Sequence, residues 1–419
     1  MKKNLETLIQ ELCPDGVEFV KLGEVFDLFS GMSKVSNKWA ETGNCKFIDY
    51  LNIYNNIIVD VNKLQNATVA SFKQNVLKKG DILFTCASET PRECAISAVI
   101  RDSIADNTYL DDHLNGIRVK SEFIDKVNPV FVNYYFYSPR FRVAICKIVR
   151  GVTRFYIVNK NFLKIEIPLP PLEVQTEIVR ILDKFTSLEA ELEAELDCRK
   201  RQYEYYRDKL LSFENLGGQE VEWKKMSEVG TFIRGNGLQK KDFTEEGVGC
   251  IHYGQVYTHY GTSATETITC CSLELAAKLR KASKGDIVIA TTSENVEDVC
   301  KAVAWLGEDD IAVSGDAFIY KHNQNPKYMA YLFQTLDFFN YKKKKATGTK
   351  VIRLSGDAMG SYLAPIPSLE EQQRIVSILD RFESLTTSLQ SGLPAEISAR
   401  RQQYEYYRDK LLTFKRKTA

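Results

Sequence analysis

The chain has 419 residues, 44% of them hydrophobic, and its 56 basic and 55 acidic side chains give a formal net charge of +1. This length and apolar content suffice for two cores of ordinary domain size. No segment is apolar enough for a membrane span, and no apolar stretch follows the opening residues, so the sequence predicts a soluble, cytoplasmic protein. The near-neutral charge excludes a uniformly basic surface, although charges of opposite sign can still be separated along the chain.

Neither the cysteines nor the histidines suggest a metal site or a disulfide framework. Ten cysteines occur without a Cys-x-x-Cys pair, and four histidines lack metal-ligand spacing. The adjacent Cys270 and Cys271 are unsuited to an ordinary disulfide, and a reducing compartment favours free thiols. We therefore expect no metal site, and we expect polar surface or core positions for His252 and His259.

The first predicted element is a globular segment over residues 1–170, and its motifs recur in a second segment over residues 217–367. Lys79-Gly80-Asp81-Ile82 returns as Lys284-Gly285-Asp286-Ile287, and Asn128-Pro129 returns as Asn325-Pro326. Such self-similarity indicates a duplicated unit. The sequence therefore predicts two tandem copies of one globular domain.

Each copy has a polar loop at an equivalent position. Ser88-Glu89 in the first copy, with Arg92 close behind, corresponds to Ser293-Glu294 in the second, which follows Thr292. Arginine reads guanine edges, and serine or threonine can bond to several bases. We therefore take Arg92, Thr292 and Ser293 as candidate base contacts. The alternative is that these loops only close hairpins.

Basic side chains gather late in both copies, around Gly151 and Gly348, which align with each other. A single charged run is usually a solvated helix face, but recurrence at equivalent positions of a duplicated domain favours contact with phosphate groups. The candidates are Lys147, Arg150 and Arg154 in the first copy, beside Arg140 and Arg142, and Lys343, Lys344, Lys345 and Lys350 in the second, beside Lys342 and Arg353.

One short motif is partly similar to a catalytic sequence. Asn128-Pro129-Val130-Phe131 resembles the Asn-Pro-Pro-Tyr/Phe loop of amino-methyltransferases, but the second proline is missing. An asparagine N-cap followed by proline at the first helical position explains both copies of Asn-Pro. No Gly-x-x-x-x-Gly-Lys-Ser/Thr segment is present, and Gly235-Asn236-Gly237 lacks the third glycine of a dinucleotide loop. We therefore predict no catalytic residue in this chain.

A long helix is predicted over residues 171–216. Its apolar residues recur in steps of three and four, which indicates one side packed against a partner helix. They are Ile178, Ile181, Phe185, Leu188, Leu192, Leu196, Tyr203, Tyr206, Leu210 and Phe213. At 1.5 Å per residue an unbroken run would span roughly 60 Å, which is suited to a spacer.

A similar helical region is predicted over residues 368–419, and its obvious partner is the first helix. The second region is four residues longer, and its Pro394 favours the start of a new helical segment. The first helix contains a tandem tetrapeptide, Glu189–Leu192 and Glu193–Leu196. The lengths of these helices therefore indicate a modular construction from four-residue units.

Together these features resemble the specificity (S) subunits of type I restriction-modification enzymes. The resemblance lies in the proline-rich entry into each helix, the Leu-Glu-x-Gln stretch, the acidic tetrapeptide, the Gly392–Ile397 segment and the doubled Tyr-Glu-Tyr-Tyr-Arg-Asp-Lys-Leu-Leu. It spans essentially the whole chain. It implies an α+β fold with two tandem α/β target recognition domains, each followed by a long helix, and the two helices would pack as an antiparallel coiled-coil spacer with pseudo-twofold symmetry.

The resemblance also implies a function and partners. Each domain would read one half of a split site in double-stranded DNA, and the spacer would set the half-site separation and dock two methyltransferase (M) subunits. The chain itself would bind no cofactor. Its M partners would use S-adenosylmethionine to methylate adenine N6, and its restriction (R) partners would use ATP and magnesium. Tyrosine and arginine off the helical seam suit an interface, so Tyr205, Arg207, Tyr406 and Arg408 are the candidate partner contacts.

Two other functions remain open at this point. A duplicated protein-interaction scaffold would bind no DNA, and a self-contained DNA-modifying enzyme would need motifs that the sequence lacks. Binding that weakens steeply with salt would favour contact with DNA phosphates over the scaffold.

Overall fold

The computed structural model divides into two compact units. It describes residues 5–33, 35–39, 41–69, 74–213, 221–387 and 392–417. The first unit combines Met1–Glu191 with Ile397–Ala419, and the second unit is the continuous stretch Leu192–Glu396. Each unit contains one globular domain and portions of both helical regions, and the four consecutive segments expected from the sequence stay a prediction. None of the helices formed by the described residues is long and apolar enough to cross a membrane.

The globular part of the first unit is a mixed α/β domain built from short elements. Its helices are α1 (Leu5–Leu12), α2 (Leu22–Val25), α3 (Tyr50–Asn55), α4 (Pro129–Phe136), α5 (Pro139–Ile148) and α6 (Asn159–Phe162). Its strands are β1 (Phe19–Lys21), β2 (Phe26–Ser30), β3 (Val35–Lys38), β4 (Cys45–Ile48), β5 (Gln65–Val69), β6 (Ile82–Thr85), β7 (Ala87–Ser88), β8 (Ser97–Val99), β9 (Thr108–Leu110), β10 (Leu114–Val119), β11 (Phe155–Tyr156) and β12 (Glu166–Pro168). Short 3-10 turns occur at Pro91–Glu93 and Ser121–Phe123.

Two four-stranded sheets form the body of this domain. The sheet with the order β2-β10-β6-β8 is antiparallel, whereas β4 and β9 pair in parallel within the sheet β3-β5-β4-β9. Every residue of β6 is buried, which is typical of a strand covered on both faces. Two-stranded ladders join β1 to β12 and β7 to β11, so segments that are far apart in sequence become neighbours.

Helix α7 (Leu172–Ser212) follows the first domain without a break, as the spacing of its apolar residues predicted. The second domain then repeats the plan of the first. Its helices are α8 (Met226–Val229), α9 (Tyr253–Thr258), α10 (Leu273–Ala276), α11 (Pro326–Leu332), α12 (Leu336–Lys345) and α13 (Gly356–Gly360). Its strands are β13 (Glu222–Lys225), β14 (Gly230–Arg234), β15 (Phe243–Thr244), β16 (Val248–Ile251), β17 (Ser263–Ala264), β18 (Thr269–Cys271), β19 (Lys281–Ala282), β20 (Ile287–Ala290), β21 (Thr292–Ser293), β22 (Lys301–Trp305), β23 (Ile311–Val313), β24 (Ala317–His322), β25 (Ile352–Arg353) and β26 (Leu363–Ile366). A 3-10 turn lies at Lys240–Asp242.

The sheets of the second domain correspond to those of the first. Its two main sheets have the orders β14-β24-β20-β22-β17 and β15-β18-β16-β23-β19, with parallel pairing between β17 and β22 and between β16 and β23. The ladders β13–β26 and β21–β25 repeat β1–β12 and β7–β11. The mixed helix-and-sheet fold in two copies, expected from the sequence, is confirmed.

The second helical region is interrupted, unlike the first. Helix α14 (Leu369–Thr387) ends before α15 (Leu393–Leu411) begins, and Pro394 lies in the first turn of α15, where proline is tolerated. Gly392 precedes α15 with φ of +96°, a conformation that favours glycine. Residues 388–391 lie outside the described residues.

Within each unit, two helical segments pack side by side. In the first unit, Phe185 of α7 stacks on Tyr407 of α15, with 5.4 Å between the ring centroids. One turn later in α7, Glu189 pairs with Arg401, which comes earlier in α15. The two helices therefore run in opposite directions. In the second unit, α7 packs beside α14, and Tyr206 lies 5.6 Å from Phe382.

The apolar core of each unit uses both of its helical segments. Tyr404, Leu412 and Phe414 are buried in the core of the first unit, together with residues of α4 and the start of α7. Leu211 of α7 and Leu379 of α14 are buried in the core of the second unit. The helical regions therefore complete the cores of the domains.

The Leu-Glu-x-Gln stretch at the start of each helical region has a structural role. Gln175 and Gln372 are fully buried. The Gln175 side chain accepts a hydrogen bond from the backbone N–H of Asn128 at 2.8 Å, and Gln372 accepts one from Asn325 at 3.0 Å. Both side-chain amides also donate to a proline carbonyl at the helix entry. Each glutamine thus ties a long helix to the Asn-Pro helix of its own domain.

Candidate nucleic-acid interface

In the first unit, the polar loop and the basic cluster lie next to each other. Strands β7 and β11 pair through Ser88 with Phe155 and Ala87 with Tyr156. The turn before β11 is closed by Arg150 and Tyr156, whose backbone groups exchange hydrogen bonds at 3.0 and 2.8 Å. The loop after Ser88 and this turn therefore form one surface.

The second unit brings the corresponding segments together in the same way. Strands β21 and β25 pair through Thr292 with Arg353 and Ser293 with Ile352. Thr347 and Arg353 close the turn with two backbone hydrogen bonds of 2.9 Å. The sequence predicted the polar loops and the basic clusters separately, and the fold makes them neighbours in both domains.

One glycine in each turn explains why the two basic clusters align. Gly151 and Gly348 have φ values of +127° and +103°. A Cβ atom would lie 1.9 Å from the carbonyl oxygen of Arg154 in the first turn and 2.0 Å from that of Val351 in the second. Only glycine fits such a position, so the turns have the same backbone shape in both domains.

Most of the predicted phosphate contacts are exposed on this surface. They are Lys147, Arg150 and Arg154 in the first unit and Lys343, Lys344, Lys345 and Lys350 in the second. The lysines at the ends of α5 and α12 also lie where a helix dipole favours positive charge. Exposure is compatible with phosphate contact, and each of these residues stays a prediction.

Two other cations of the clusters, half-buried Arg142 and buried Lys342, support an unusual turn. Ala95 and Cys300, at equivalent positions, have φ values of 58° and 67°. The guanidinium of Arg142 donates to the carbonyl of Ala95 at 2.8 Å, and the ammonium of Lys342 donates to the carbonyl of Val299 at 2.7 Å. Burial lowers the pKa of Arg142 to about 10 and also lowers the pKa of Lys342. Arg142 and Lys342 are therefore engaged by backbone carbonyls, and phosphate contact stays a prediction for the exposed members of the clusters.

The three candidate base contacts differ in exposure. Arg92 is exposed in the loop, and Ser293 is half-buried. Thr292 is only 8% exposed, and its hydroxyl donates to Oδ1 of Asp316 at 3.3 Å. Thr292 and Ser293 both lie in the paired strand β21, directly before the loop, and base contact by Arg92, Thr292 and Ser293 stays a prediction.

A cleft that the sequence did not predict opens beside this surface in the first unit. It encloses about 430 Å³ and is lined by Tyr50, Tyr54, Ala87, Ser88, Glu89, Glu93, Thr153 and Arg154. Tyr50 and Tyr54 lie one turn apart on α3, with ring centroids 5.5 Å apart and an angle of 18° between the rings. The sequence offered only this spacing of two tyrosines as a signal, because the other walls come from distant segments.

Among the candidate partner contacts, the two tyrosines are well exposed. Tyr205 is 59% exposed and Tyr406 is 63% exposed. Each ring meets that of the following tyrosine edge to face, with centroids 5.3 Å apart and an angle of 75° in both copies. The duplicated sequence thus presents the same aromatic surface twice.

The two candidate arginines are held in internal contacts instead. The side chains of Arg207 and Arg408 are 12% and 16% exposed, and they pair with Asp208 and Asp409 at 3.0 and 2.8 Å. Each guanidinium also lies over the ring of the tyrosine four residues earlier. A position off the helical seam did not make them exposed, since each guanidinium is held by an aspartate and a tyrosine of its own helix.

Comparison with known families accounts for both copies of this arrangement. A model described as the type I restriction modification DNA specificity domain matches residues 14–197 and, again, residues 219–399. The chain belongs to this specificity family. Each matched range contains one polar loop, its cationic turn and the start of the following helical region.

Individual members of the specificity family are similar over much of the chain. The specificity subunit of the type I restriction enzyme EcoR124I/EcoR124II from Escherichia coli is 39% identical over 62% of this chain and 66% of its own length, just under two thirds. A Haemophilus influenzae protein named as a type I specificity subunit is 31% identical over 73% of this chain and 76% of its own length. A chain solved in a study of complex assembly and conformational transition of the type I R-M system shares the fold, with a TM-score of 0.59, 17% identity and coverage of 95% of this chain and 97% of that one.

In this member of the specificity family, the Asn-Pro motifs are helix caps. The side chain of Asn128 accepts a hydrogen bond from the backbone N–H of Val130 at 3.0 Å, and Asn325 accepts one from Tyr328 at 3.2 Å. Proline occupies the first helical position in both cases. This geometry explains the partial likeness to a methyltransferase loop by helix capping.

One cluster among the described residues has the composition of a cation site, namely Asp111, Asp112 and His113. The ammonium of Lys38 donates to Oδ1 of Asp111 at 3.1 Å and also pairs with Asp112. Nδ1 of His113 lies 3.2 Å from the same Asp111 oxygen. The lysine already supplies a positive charge to both carboxylates, so the cluster is accounted for by its own ion pairs.

Proposed function

We propose that this chain is the DNA specificity subunit of a type I restriction-modification complex. Each recognition domain reads one half of a split site in double-stranded DNA, and the helical regions set the separation of the half-sites. The observation that carries the proposal is the recurrence of a polar loop beside a turn with exposed cations, in both domains of a chain from the specificity family.

The two domains are suited to reading different sequences with a similar grip. Contacts with phosphate groups fix position, whereas contacts with base edges specify sequence. The turns share a glycine and a backbone shape, but Thr153 and Arg154 of the first turn correspond to Lys350 and Val351 of the second. A common frame with different side chains supports two unlike half-sites.

The proposal assigns catalysis to partner subunits. Two methyltransferase subunits use S-adenosylmethionine to methylate adenine N6, and restriction subunits use ATP and magnesium, while this chain binds none of these cofactors. One chain with two similar surfaces can bind two identical partners as a symmetric pair would. The exposed tyrosine pairs beginning at Tyr205 and Tyr406 support docking on the helices.

The test is co-expression of this chain with the methyltransferase encoded beside it, followed by single-molecule sequencing of modified bases across the host genome. We expect methylated adenines in a split motif with a gap of fixed length. Methylation without such a motif, despite a stable complex, would contradict the proposal.

A protein-interaction scaffold that binds no DNA is the other candidate, and family membership does not favour it. The dependence of DNA binding on salt concentration distinguishes the two functions. Binding of the complex to duplex DNA should weaken by about 10³-fold or more between 50 and 200 mM salt if several phosphates are contacted. A scaffold would not retain DNA even at the lower concentration.

A further inference from the structure

We propose that the cleft beside Arg154 is the base-reading site of the first domain and that it recognises a G·C pair. Arg154 donates to the guanine, and the carboxylate of Glu93 accepts from the amino group of the paired cytosine. This inference rests on the proposed function, since it identifies which residues of that interface choose the base pair.

The two charged groups are positioned but not used up by internal contacts. Glu93 is oriented by the hydroxyl of Ser88, which donates to Oε2 at 3.0 Å, and by a hydrogen bond with the side chain of Tyr54. A carboxylate has about four acceptor sites, so Glu93 can still accept a further hydrogen bond. Arg154 extends from the turn fixed by Gly151, and it is exposed. Across the ranges that the structure describes, Arg154 forms no ion pair with a carboxylate, so its guanidinium can bind a base.

Two tyrosines form the wall of the cleft beside Glu93. Tyr50 and Tyr54 are both exposed, although large aromatic side chains are usually buried unless they have a partner. Their nearly parallel rings present a flat wall next to Glu93. Such a wall limits the access of water, and hydrogen bonds to charged groups are stronger where water is excluded.

Comparison with the second domain distinguishes residues that could contact bases from residues that belong to the backbone frame common to both domains. Ser88 and Glu89 recur as Ser293 and Glu294, so they do not distinguish the two half-sites. At the position equivalent to Arg154, the second domain has the uncharged side chain of Val351.

The other walls of the cleft also differ. Asp298 replaces Glu93 and is held by Asn295 at 2.7 Å instead of by a serine. The hydroxyl of Tyr257, equivalent to Tyr54, lies 3.0 Å from the backbone carbonyl oxygens of both Ala290 and Thr292, which share its single proton. The chemistry changes where the backbone frame is preserved, as expected of residues that select a sequence.

A G·C pair fits these groups better than an A·T pair. In the major groove, guanine offers O6 and N7 as neighbouring acceptors, which suit the two donors of an arginine, and cytosine offers its N4 amino group to a carboxylate. Adenine places a donor beside its acceptor, so the guanidinium would lose one of its two hydrogen bonds.

The test uses the complex co-expressed with its methyltransferase subunit and compares Arg154→Lys and Glu93→Gln with the unaltered chain. Genome-wide mapping of modified adenines gives the preference at each position of both half-sites. We expect one G·C position of one half-site to lose discrimination by about 10-fold to 100-fold in both variants, while the other half-site is unchanged. Arg154→Lys keeps the positive charge, so a role in phosphate contact alone would leave the preference intact.

Glu122→Gln and Lys63→Gln are the controls, since both are exposed side chains of the first domain and neither lines the cleft. Neither should relax the G·C position. The inference is overturned if both cleft variants keep every preference, if they weaken methylation equally at all sequences, or if neither half-site contains a G·C pair. A complex of the unaltered chain that yields no split motif would instead refute the proposed function. Thermal unfolding confirms that each variant is folded.

Discussion

Lys342 and Lys343 are neighbours in sequence, yet one is 4% exposed and the other is open to solvent. Successive side chains of a helix point in directions about 100° apart, so a run of four lysines cannot face one environment. Which lysine turns inward depends on the carbonyl groups around Cys300, which belong to a distant segment. For this reason the sequence identified the cluster but not the role of each member.

The exposed lysines should contribute to DNA affinity independently of sequence. Replacing Lys343, Lys344 and Lys345 with alanine in the assembled complex should weaken binding to all duplexes alike, because phosphate contacts carry no sequence information. The slope of log affinity against log salt should flatten by about 2 to 3, which fluorescence anisotropy can measure. Alanine at the exposed Lys240, Lys241 and Lys278 is the control with equal loss of charge. An unchanged slope would remove the cluster from the DNA surface.

His322 should make the stability of the second domain depend on pH. Nδ1 of His322 accepts a hydrogen bond from the backbone N–H of Gln324 at 3.1 Å, while Nε2 is buried without a hydrogen-bond partner. Burial lowers the pKa of His322 from 6.5 to about 4. The folded state therefore prefers the neutral ring, and protonation favours unfolding. The contribution of neutral His322 to the free energy of unfolding is fully present above pH 6.5 and is lost as the pH falls from 6.5 towards 4.

Denaturant unfolding at pH 7.5 and pH 5 tests this effect. The unaltered chain should lose about 2 kcal/mol of unfolding free energy through His322 between these values, a loss that His322→Asn should remove. Asparagine can still accept the hydrogen bond from Gln324, whereas His259→Asn changes an exposed residue and should preserve the pH dependence. Equal pH dependence in all three proteins would show that His322 does not titrate in this range.

At the scale of elements, the long helices were predictable because periodicity is a local property. The apolar spacing predicted α7, and proline at 394 predicted a new helix in the second region. The two-residue strands β7 and β21 have no period to detect, and their pairing depends on segments more than 50 residues away. The cleft was therefore invisible in the sequence, since its walls are brought together by these short ladders.

The tandem tetrapeptide in α7 should control the separation of the half-sites. Deleting Glu193–Leu196 shortens the helix by about 6 Å and rotates the rest of the helix, beyond the deletion, by about 40° around its axis. The gap of the methylated motif should change while both half-sequences stay the same, as modified-base sequencing would show. Glu193→Ala with Glu195→Ala keeps the length and should keep the gap. A change in either half-sequence after the deletion would refute a spacer role.

At the scale of the whole molecule, duplication should determine how many partners bind. Tyr205→Ala should remove one of two docking surfaces, and Tyr205→Ala with Tyr406→Ala should weaken both. Loss of an interface tyrosine costs about 2 kcal/mol, or roughly a 30-fold loss of affinity. Native mass spectrometry, at protein concentrations near the dissociation constant, should detect mainly complexes with one methyltransferase subunit for Tyr205→Ala. Glu204→Ala, an exposed neighbour, is the control, and two subunits on every variant would exclude these tyrosines.

The first unit is built from two separate stretches of the chain, and this determines the order in which the two domains can fold during translation. A domain usually folds once its residues have left the ribosome. The first unit cannot finish at that stage, because Tyr404, Leu412 and Phe414 of its core are synthesised only after the whole of the second unit. The domain that is made first is thus completed last. A nonsense mutation at residue 397 would leave the whole of the second unit intact but would remove core residues of the first recognition domain.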